Sequence, residues 1–586
     1  MATSHQIKSE NWSGWGDLNS RPPAPKAGAL PDCATSRIDK CRGTFAFWTK
    51  QSIREYIKSV SSGYFLEMDE PIYDAKTFWE LFVRRVELSG DKKMLIDDSD
   101  RSLTFSEVKE KVEKTAAGFM ELGVGEGTPV TWVLPTRIET IVTSLALSRI
   151  GAVQNPIIHI YREREVGFCI RQTSSELVLV PGEWNGFDYQ EMVKNSTADM
   201  AHPPKTVQIY DNLPEGDPLG LPEEDNSNLE ESIRWIYYTS GTTSDPKGAM
   251  HTDSTLIAGG VGLAKALNMG EQDIGSIAFP YAHIGGPDYL VCMLANGFPA
   301  VLIEKFDLES TIETYKRHGV TMAGGSTAFY SMFLGAQRQQ PDTPLIPSLR
   351  LLSGGGAPKP PEIYHEVVEE MGIPVAHGYG MTESPMICQG SPQDNPDQLA
   401  HTEGKPVFGV EVTIVRPDGS ACNPGEEGQV AVGGPQLFKG YKDPELNSEA
   451  FDSLGRFLTG DLGVMREDGH VSVTGRVKDI IIRKGENISA KEIEDILYTH
   501  QKVAAVAVVG LPDKERGERV CAVVEIAEGS DPLDFEEMIE ICVSEGLMKQ
   551  KVPEQLINYD GLLPRNPTLK ILKYQLRDEI SKIGWP

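Results

Sequence analysis

The sequence predicts an α/β protein of more than one domain. Three observations carry that expectation. A chain of 586 residues is longer than one hydrophobic core organises. Its 40% hydrophobic and 24% charged content is that of a globular chain. From Asp74 onward, short apolar runs alternate with segments of helical period, the pattern of a layered α/β domain.

Composition excludes several classes. A net charge of -29 argues against a nucleic-acid binder, which would carry a basic face, while leaving room for a local basic pocket. The eight cysteines (33, 41, 169, 292, 388, 422, 521, 542) form no CxxC pair, which fits a reducing, cytoplasmic setting and gives no zinc signature. No apolar run reaches the ~18–20 residues of a membrane span. There is no internal repeat.

Residues 1–50 are expected to stand outside the fold. Arg21–Gly28 is a proline-rich breaker cluster with no periodicity. Glu10, Asp17, Asp32 and Asp39 argue against a transit peptide. The run Gly16–Pro31 is similar to a peptide that recurs when a transfer-RNA gene is translated in error. This segment therefore reads as a mis-set start, with the protein proper beginning near Phe45–Met68, or else as a disordered tail.

The elements then follow in order. Met94–Ile96 and Leu103–Phe105 read as short strands. Thr104 and Glu107 form a capping-box pattern. The helix behind it places Val108, Val112, Ala116, Phe119 and Met120 on one face, and Gly123 ends it. Pro129–Leu134 is strand-like, Glu139–Arg149 helical, and Gly151–Ile158 strand-like again. Core packing accounts for these apolar positions. An acidic linker, Asp217–Glu230, leads to a mostly apolar run, Ile233–Tyr238, that reads as a buried strand.

The loop after that strand, YYTSGTTSDPKGAMHT over Tyr237–Thr252, carries the first chemistry. Thr239, Ser240, Thr242, Thr243 and Ser244 supply hydroxyls, Gly241 and Gly248 allow close backbone approach, and Lys247 supplies a point charge. Such a set suits a triphosphate. It is not a Walker A loop, because Pro246 precedes the lysine and Gly248 follows it. Further on stand Phe279–Gly286 with His283, and Leu351–Ala357, a strand running into Gly354-Gly355-Gly356. Consecutive glycines permit backbone contact with a flat ring and equally serve a tight strand–helix turn. Gly378–Ser384 offers an aromatic face, a hydroxyl and a hard oxygen ligand in Tyr379, Thr382 and Glu383. Asp461 follows a tight turn, where a carboxylate suits paired ribose hydroxyls. Ser489 and Glu492 repeat the capping-box pattern. Leu563–Lys573 contains two lysines, Lys570 and Lys573.

These motifs, in this order, resemble those of the adenylate-forming enzymes: acyl-CoA synthetases, peptide-synthetase adenylation domains and firefly-type luciferases. The resemblance spans roughly Asp74 to Arg577. It departs at Ser244, where glycine is usual, and at Thr568-Leu569, where Ser-Gly is usual. It implies a large multi-layer N-terminal domain over residues 74–477 and a small mobile α+β C-terminal domain over 478–586.

The roles the resemblance implies are these. Thr239, Ser240, Gly241, Thr242, Thr243 and Lys247 hold the phosphates. Gly355, Gly356 and Ala357 line the adenine, and Tyr379 stacks on it. Thr382 contacts the α-phosphate and Glu383 binds Mg²⁺. Asp461 and Arg476 hold the ribose or phosphate. Lys478 is the pivot between domains, and Gly485 lines the pantetheine tunnel. By register, Lys570 is the catalytic lysine, with Lys247 and Glu383, and Lys573 is solvated. His283 and Gly380 contact the acid. Relatives restricted to acetate carry tryptophan at the place of Gly380, so glycine implies an open pocket. No Asp stands in Phe279–Gly286 to receive an amine.

The implied activity is an ATP-, Mg²⁺- and CoA-dependent acid–CoA ligase for a medium-chain, alicyclic or aromatic acid. Pro156–Tyr161 looks similar to the cyclohexanecarboxylate and medium-chain branch. The alternative is a stand-alone adenylation enzyme that loads the phosphopantetheine thiol of a carrier protein.

Overall fold

The computed structural model describes residues 71–223, 232–239, 246–357, 359–484, 486–565 and 570–583. The expectation for residues 1–50 lies outside them. No helix among the described residues is long and apolar enough to cross a membrane.

After helix Phe78–Ser89 and strand Lys93–Asp97 comes the capping box expected at Thr104. The Glu107 amide donates to Thr104 Oγ1 at 3.2 Å, and the Thr104 amide donates back to Glu107 Oε2 at 2.8 Å. The helix it starts, Phe105–Glu121, buries Phe105, Val108, Val112, Ala116 and Phe119. Met120 departs from the expectation and is 37% exposed. It lies about 100° round the helix from Phe119, beyond the edge of the apolar stripe. Gly123 follows at φ +94°, a conformation that closes the helix and favours glycine.

Three sheets build the large domain. The first orders Gly275–Ile277, Ala300–Leu302, Lys93–Asp97 and Ser102–Thr104. The second has six strands, in the order Lys247–His251, Trp235–Thr239, Val153–Pro156, Pro129–Trp132, Leu177–Val180 and Lys205–Gln208. Its inner strands are parallel, and all of Leu177–Val180 is buried, as expected for a sheet covered on both faces. Helix Ile138–Arg149 is buried along most of its length for the same reason. The third sheet runs Met322–Gly325, Leu351–Gly355, Val375–Met381, Ser384–Gln389 and Lys405–Pro406. A fourth, antiparallel sheet, Glu411–Val415, Glu427–Gly433, Phe457–Met465 and Val471–Arg476, leads to the C-terminal domain.

That small domain is α+β. Strands Val503–Asp513 and Gly517–Ile526 form a long antiparallel hairpin, flanked by Ile480–Arg483, Glu486–Ser489 and Gln555–Tyr559. Period two sorts the hairpin's side chains onto two faces. Val506, Val508, Val520, Ala522 and Val524 pack with Ile493, Leu497 and Met538 of two helices. Ala505, Ala507, Val509, Cys521 and Val523 pack with Leu576 and Ile580 of a third. Burying each large aliphatic side chain contributes about 1.5–3 kcal/mol, so both faces need their helices.

The second capping box forms by half. The Glu492 amide donates to Ser489 Oγ at 3.4 Å, but the Glu492 carboxylate turns to Lys551 Nζ at 2.6 Å. An ion pair has taken the side chain that would have closed the box.

Candidate active site

Antiparallel register sets Thr239 opposite Lys247, so the two residues flank the mouth of the hydroxyl-rich loop. Ser240, Gly241, Thr242 and Thr243, within that loop, lie outside the described residues, as does Gly485. Lys247 is partly buried, with its Nζ 5.2 Å from the centroid of the Tyr441 ring. The segment carrying Tyr441 is strapped to strand Lys247–His251 by main-chain bonds. Lys439 N donates to Met250 O at 2.8 Å, Met250 N to Gly440 O at 3.0 Å, and Lys442 N to Gly248 O at 2.7 Å.

The strap meets Glu383, which sits in the turn between Val375–Met381 and Ser384–Gln389 and is 5% exposed. Tyr441 Oη donates to Glu383 Oε1 at 2.6 Å, and Phe438 N donates to the Glu383 carbonyl at 2.9 Å. Burial pushes the Glu383 carboxyl above its ordinary range, against the Tyr441 hydrogen bond and the nearby Lys247 and Arg476 charges. Burial and the Glu383 charge push the Tyr441 phenol up, so it remains a donor.

His251 steadies the preceding residue. Its Nε2 lies 2.8 Å from the Thr382 carbonyl and its Nδ1 2.9 Å from Thr255 Oγ1. Burial pulls the imidazole down to about 4. The ring is therefore neutral at pH 7, and facing a carbonyl it must carry its proton on Nε2 and donate.

A second cluster lies at the other end of the motif. Tyr379 Oη donates to Asp461 Oδ2 at 2.7 Å, and Arg476 Nε reaches Asp461 Oδ1 at 2.9 Å across a strand pair in which the two residues are in register. Each carboxylate oxygen keeps one lone pair for a ligand hydroxyl. Lys570 joins this cluster. Burial and then the Arg476 charge, opposed by Asp461 and Asp479, lower its ammonium to about 8.

Around this pair, Gly355 and Gly356 end the strand Leu351–Gly355. A Cβ on Gly355 would stand 2.6 Å from the Gly378 carbonyl, and Gly356 turns at φ +79° with open space where a Cβ would be. The Ala357 carbonyl accepts from His377 Nε2 at 2.9 Å and from Thr327 Oγ1 at 3.4 Å. His283 is partly buried, its Nδ1 accepting from the Gly285 amide at 3.2 Å, and burial pulls it down to about 4. Lys478 is exposed in the short turn Val477–Asp479 that joins the fourth sheet to the small domain.

Two expectations change. Gly380 does not open a pocket along its Cβ direction. A Cβ there would meet the Pro385 carbonyl oxygen at 2.0 Å, in the irregular turn of the hairpin, so backbone proximity requires glycine. Lys573 is not solvated. Its Nζ pairs with Glu494 Oε1 at 2.8 Å, and Glu494 is 8% exposed.

Tyr441 and His251 escape sequence reasoning. Tyr441 lies 58 residues from Glu383, and His251 lies 131 from Thr382, so no local pattern announces either contact. The one available signal for Tyr441 is an aromatic residue just after Gly440 in a loop otherwise rich in charge.

Known proteins share this architecture. Residues 82–442 match the AMP-binding enzyme family, and residues 492–570 match the AMP-binding enzyme C-terminal domain. The medium-chain fatty-acid–CoA ligase of Escherichia coli is 29% identical over 86% of this chain and 90% of that protein. A 2-succinylbenzoate–CoA ligase of Geobacillus kaustophilus is 32% identical over 84% of this chain and 96% of that protein. The solved o-succinylbenzoate coenzyme A synthetase of Bacillus subtilis, in complex with ATP and magnesium ion, superposes with a TM-score of 0.72 at 29% identity, covering 85% of this chain and 99% of that one. With both parts of the family matched in order along one chain, and acid–CoA ligases among its relatives, this protein belongs to the AMP-binding enzyme family of adenylate-forming enzymes.

Proposed function

We propose that the protein activates a mainly apolar carboxylic acid larger than propionate as its acyl-adenylate and transfers the acyl group to CoA, releasing AMP and pyrophosphate. The observation that carries this reading is the convergence of Lys570 on Asp461 and Arg476, beside Tyr379 and within one motif of Glu383. Medium-chain, alicyclic and aromatic acids fit best. The segment Phe279–Gly286 offers no acid for an amine, and a medium-chain ligase stands among the relatives.

The chemistry follows from charge. A carboxylate must approach an anionic triphosphate, so fixed cations lower the barrier more than any acid or base would. A carboxylate oxygen attacks the α-phosphorus of ATP while the bond to the β-phosphate oxygen breaks, and pyrophosphate leaves with that electron pair. Lys570 neutralises the carboxylate and α-phosphate as they meet, and Lys247 neutralises the departing phosphates. Asp461 and Arg476 hold the ribose side, and Tyr379 covers the adenine against Gly355, Gly356 and Ala357. Thr239 and the hydroxyls at 240, 242 and 243 cradle the phosphates, with the Gly241 backbone. The CoA thiolate then attacks the acyl carbonyl and AMP leaves. This second step requires Lys570 to vacate the site, by rotation of the small domain about Lys478, and Gly485 then lines the thiol's path.

Magnesium fits Glu383. No cluster of three or more His, Cys, Asp or Glu able to hold a metal occurs among the described residues. A single buried carboxylate, steadied by Tyr441, would suit a hard cation brought in with the triphosphate. When bound, such a cation spreads the charge of the leaving pyrophosphate.

Pyrophosphate release across a panel of acids, with and without CoA, tests the reading. Acid-dependent release followed by acyl-CoA formation supports it. Release without transfer to CoA, and transfer to a carrier-protein thiol instead, would favour a carrier-loading enzyme.

A further inference from the structure

The segment Phe279–Gly286 is pinned from outside its own sheet by one buried hydroxyl. It leaves strand Gly275–Ile277 and runs into helix Gly285–Asn296. Pro280 has no N–H, so a regular ladder cannot pass through this point. Thr136 takes the ladder's place. It lies in the turn between strand Pro129–Trp132 of the second sheet and helix Ile138–Arg149, and is 3% exposed. Its Oγ1 donates to the Phe279 carbonyl at 2.9 Å and accepts from the Tyr281 amide at 3.0 Å. The partners fix both directions, since a carbonyl only accepts and an amide only donates. One side chain thus satisfies the two main-chain groups that flank the proline.

The turn bearing Thr136 is itself anchored. Thr140 Oγ1 donates to the Pro135 carbonyl at 2.6 Å. The next residue, Arg137, pairs with Glu304 at 2.5 Å, and its guanidinium lies 3.8 Å from the centroid of the Tyr210 ring. Glu304 follows strand Ala300–Leu302, so Arg137 ties the turn to the first sheet beside the bonds that Thr136 makes.

What Thr136 holds is a short turn with little slack. The Tyr281 ring stacks on Trp132 with centroids 6.1 Å apart. His283 N donates to the Pro280 carbonyl at 2.9 Å, and Gly286 N to the His283 carbonyl at 2.8 Å. A Cβ on Gly286 would stand 2.0 Å from the Tyr281 carbonyl oxygen, so the turn closes tightly on itself. The Phe279 and His283 side chains converge at its edge. A Cβ on Gly285 would lie 3.5 Å from His283 Nδ1 and 3.6 Å from Phe279 Cε2. Both rings are half-buried and so keep part of their surface open.

We propose that Thr136 is a positioning residue for the acid: its hydroxyl clamps the chain on both sides of Pro280 and so fixes the Phe279 and His283 rings where the acid meets them. This rests on the functional reading above, in which Phe279–Gly286 lines the acid. The bonds of the Thr136 hydroxyl end on that segment, so its loss should loosen the hold on the acid and spare the nucleotide cluster of Tyr379, Asp461 and Arg476.

The test compares two variants of the full chain. Thr136→Val keeps the shape and deletes the hydroxyl, and Thr136→Ser keeps the hydroxyl. Acid-dependent ATP–pyrophosphate exchange, with hexanoate and benzoate as probes, gives KM for the acid and for ATP separately. Thr136→Val should raise the acid KM about tenfold and leave the ATP KM within about twofold, while Thr136→Ser stays within about threefold of the unmodified enzyme in both. An unchanged acid KM in Thr136→Val, parallel rises in both KM values, or equal damage from Ser and Val overturns the proposal. If Thr136→Val does not fold, Thr136→Cys takes its place, because a thiol donates and accepts only weakly. The acid KM should then rise alone and by less, and no rise overturns the proposal. Absence of exchange in the unmodified enzyme with every acid would sink the functional reading and this proposal with it. Exchange whose acid KM is indifferent to the hydroxyl sinks this proposal alone.

Discussion

Replacing Lys570 with alanine tests the central assignment. The lysine lies beside Arg476, Asp461 and Asp479, where no other lysine of its loop reaches, since Lys573 is held by Glu494. Removing a fixed charge that meets the transition state costs about 3–4 kcal/mol, a factor of several hundred in adenylation. Thioester formation from a supplied adenylate should survive, because on the proposed mechanism Lys570 has left the site before that step. Lys573→Ala should behave differently. It leaves Glu494 buried without its counter-charge, a change that costs roughly 3 kcal/mol when such a pair is broken, and the melting temperature should fall.

The pH profile supplies the independent check. With its ammonium lowered to about 8, Lys570 is about nine-tenths charged at pH 7 and about one-tenth at pH 9 in the free enzyme. The charged form is the active one, so kcat/KM for exchange should fall as pH rises through about 8. Full exchange activity in Lys570→Ala, or loss of this alkaline limb in Lys573→Ala with Lys570 intact, would refute the assignment.

Three further outcomes are expected. Tyr441→Phe removes the 2.6 Å donor to buried Glu383 and should cost about 1–3 kcal/mol, read as a raised Mg²⁺ requirement in exchange and weaker Mn²⁺ binding to the ATP complex by paramagnetic resonance; unchanged metal binding would show that the contact is passive. Gly380→Ala forces a 2.0 Å contact on the Pro385 carbonyl and should depress exchange for all acids alike; a selective gain for short acids would restore the pocket role. Replacing acetate with hexanoate adds four CH₂ groups at about 0.8 kcal/mol each, so kcat/KM should rise by roughly two orders of magnitude, and equal use of both acids would contradict an apolar pocket.

Much of the fold was legible because its signals are local. Thr104 and Glu107 cap the helix three residues apart, and the apolar run Ile233–Tyr238 announces the buried strand Trp235–Thr239 by composition alone. The phosphate loop and the Tyr379–Glu383 motif stand out as candidates for the same reason, as short segments whose own residue types suit a nucleotide. The misreadings have physical causes. Gly380 looked like vacant space, but a missing side chain cannot say whether a ligand or a neighbouring carbonyl occupies the room. Lys573 looked solvated because its partner, Glu494, lies far upstream in the chain.

That division follows from what each layer of the site must do. Residues that touch a flexible polyphosphate are most cheaply presented by one loop, so they cluster in sequence. Residues that fix those groups must come from elements that do not move with the loop, and here they do. Tyr441 reaches Glu383 from a strap bonded to strand Lys247–His251, and Arg476 reaches Asp461 from the adjacent strand. The same logic explains how a chain of net charge -29 accommodates an anionic substrate. Lys247, Arg476 and Lys570 are gathered from three distant stretches and partly withdrawn from solvent, where their field is screened far less than that of surface carboxylates more than a Debye length away. Only folding gathers those three cations, which is why the net charge left room for a basic pocket without locating it.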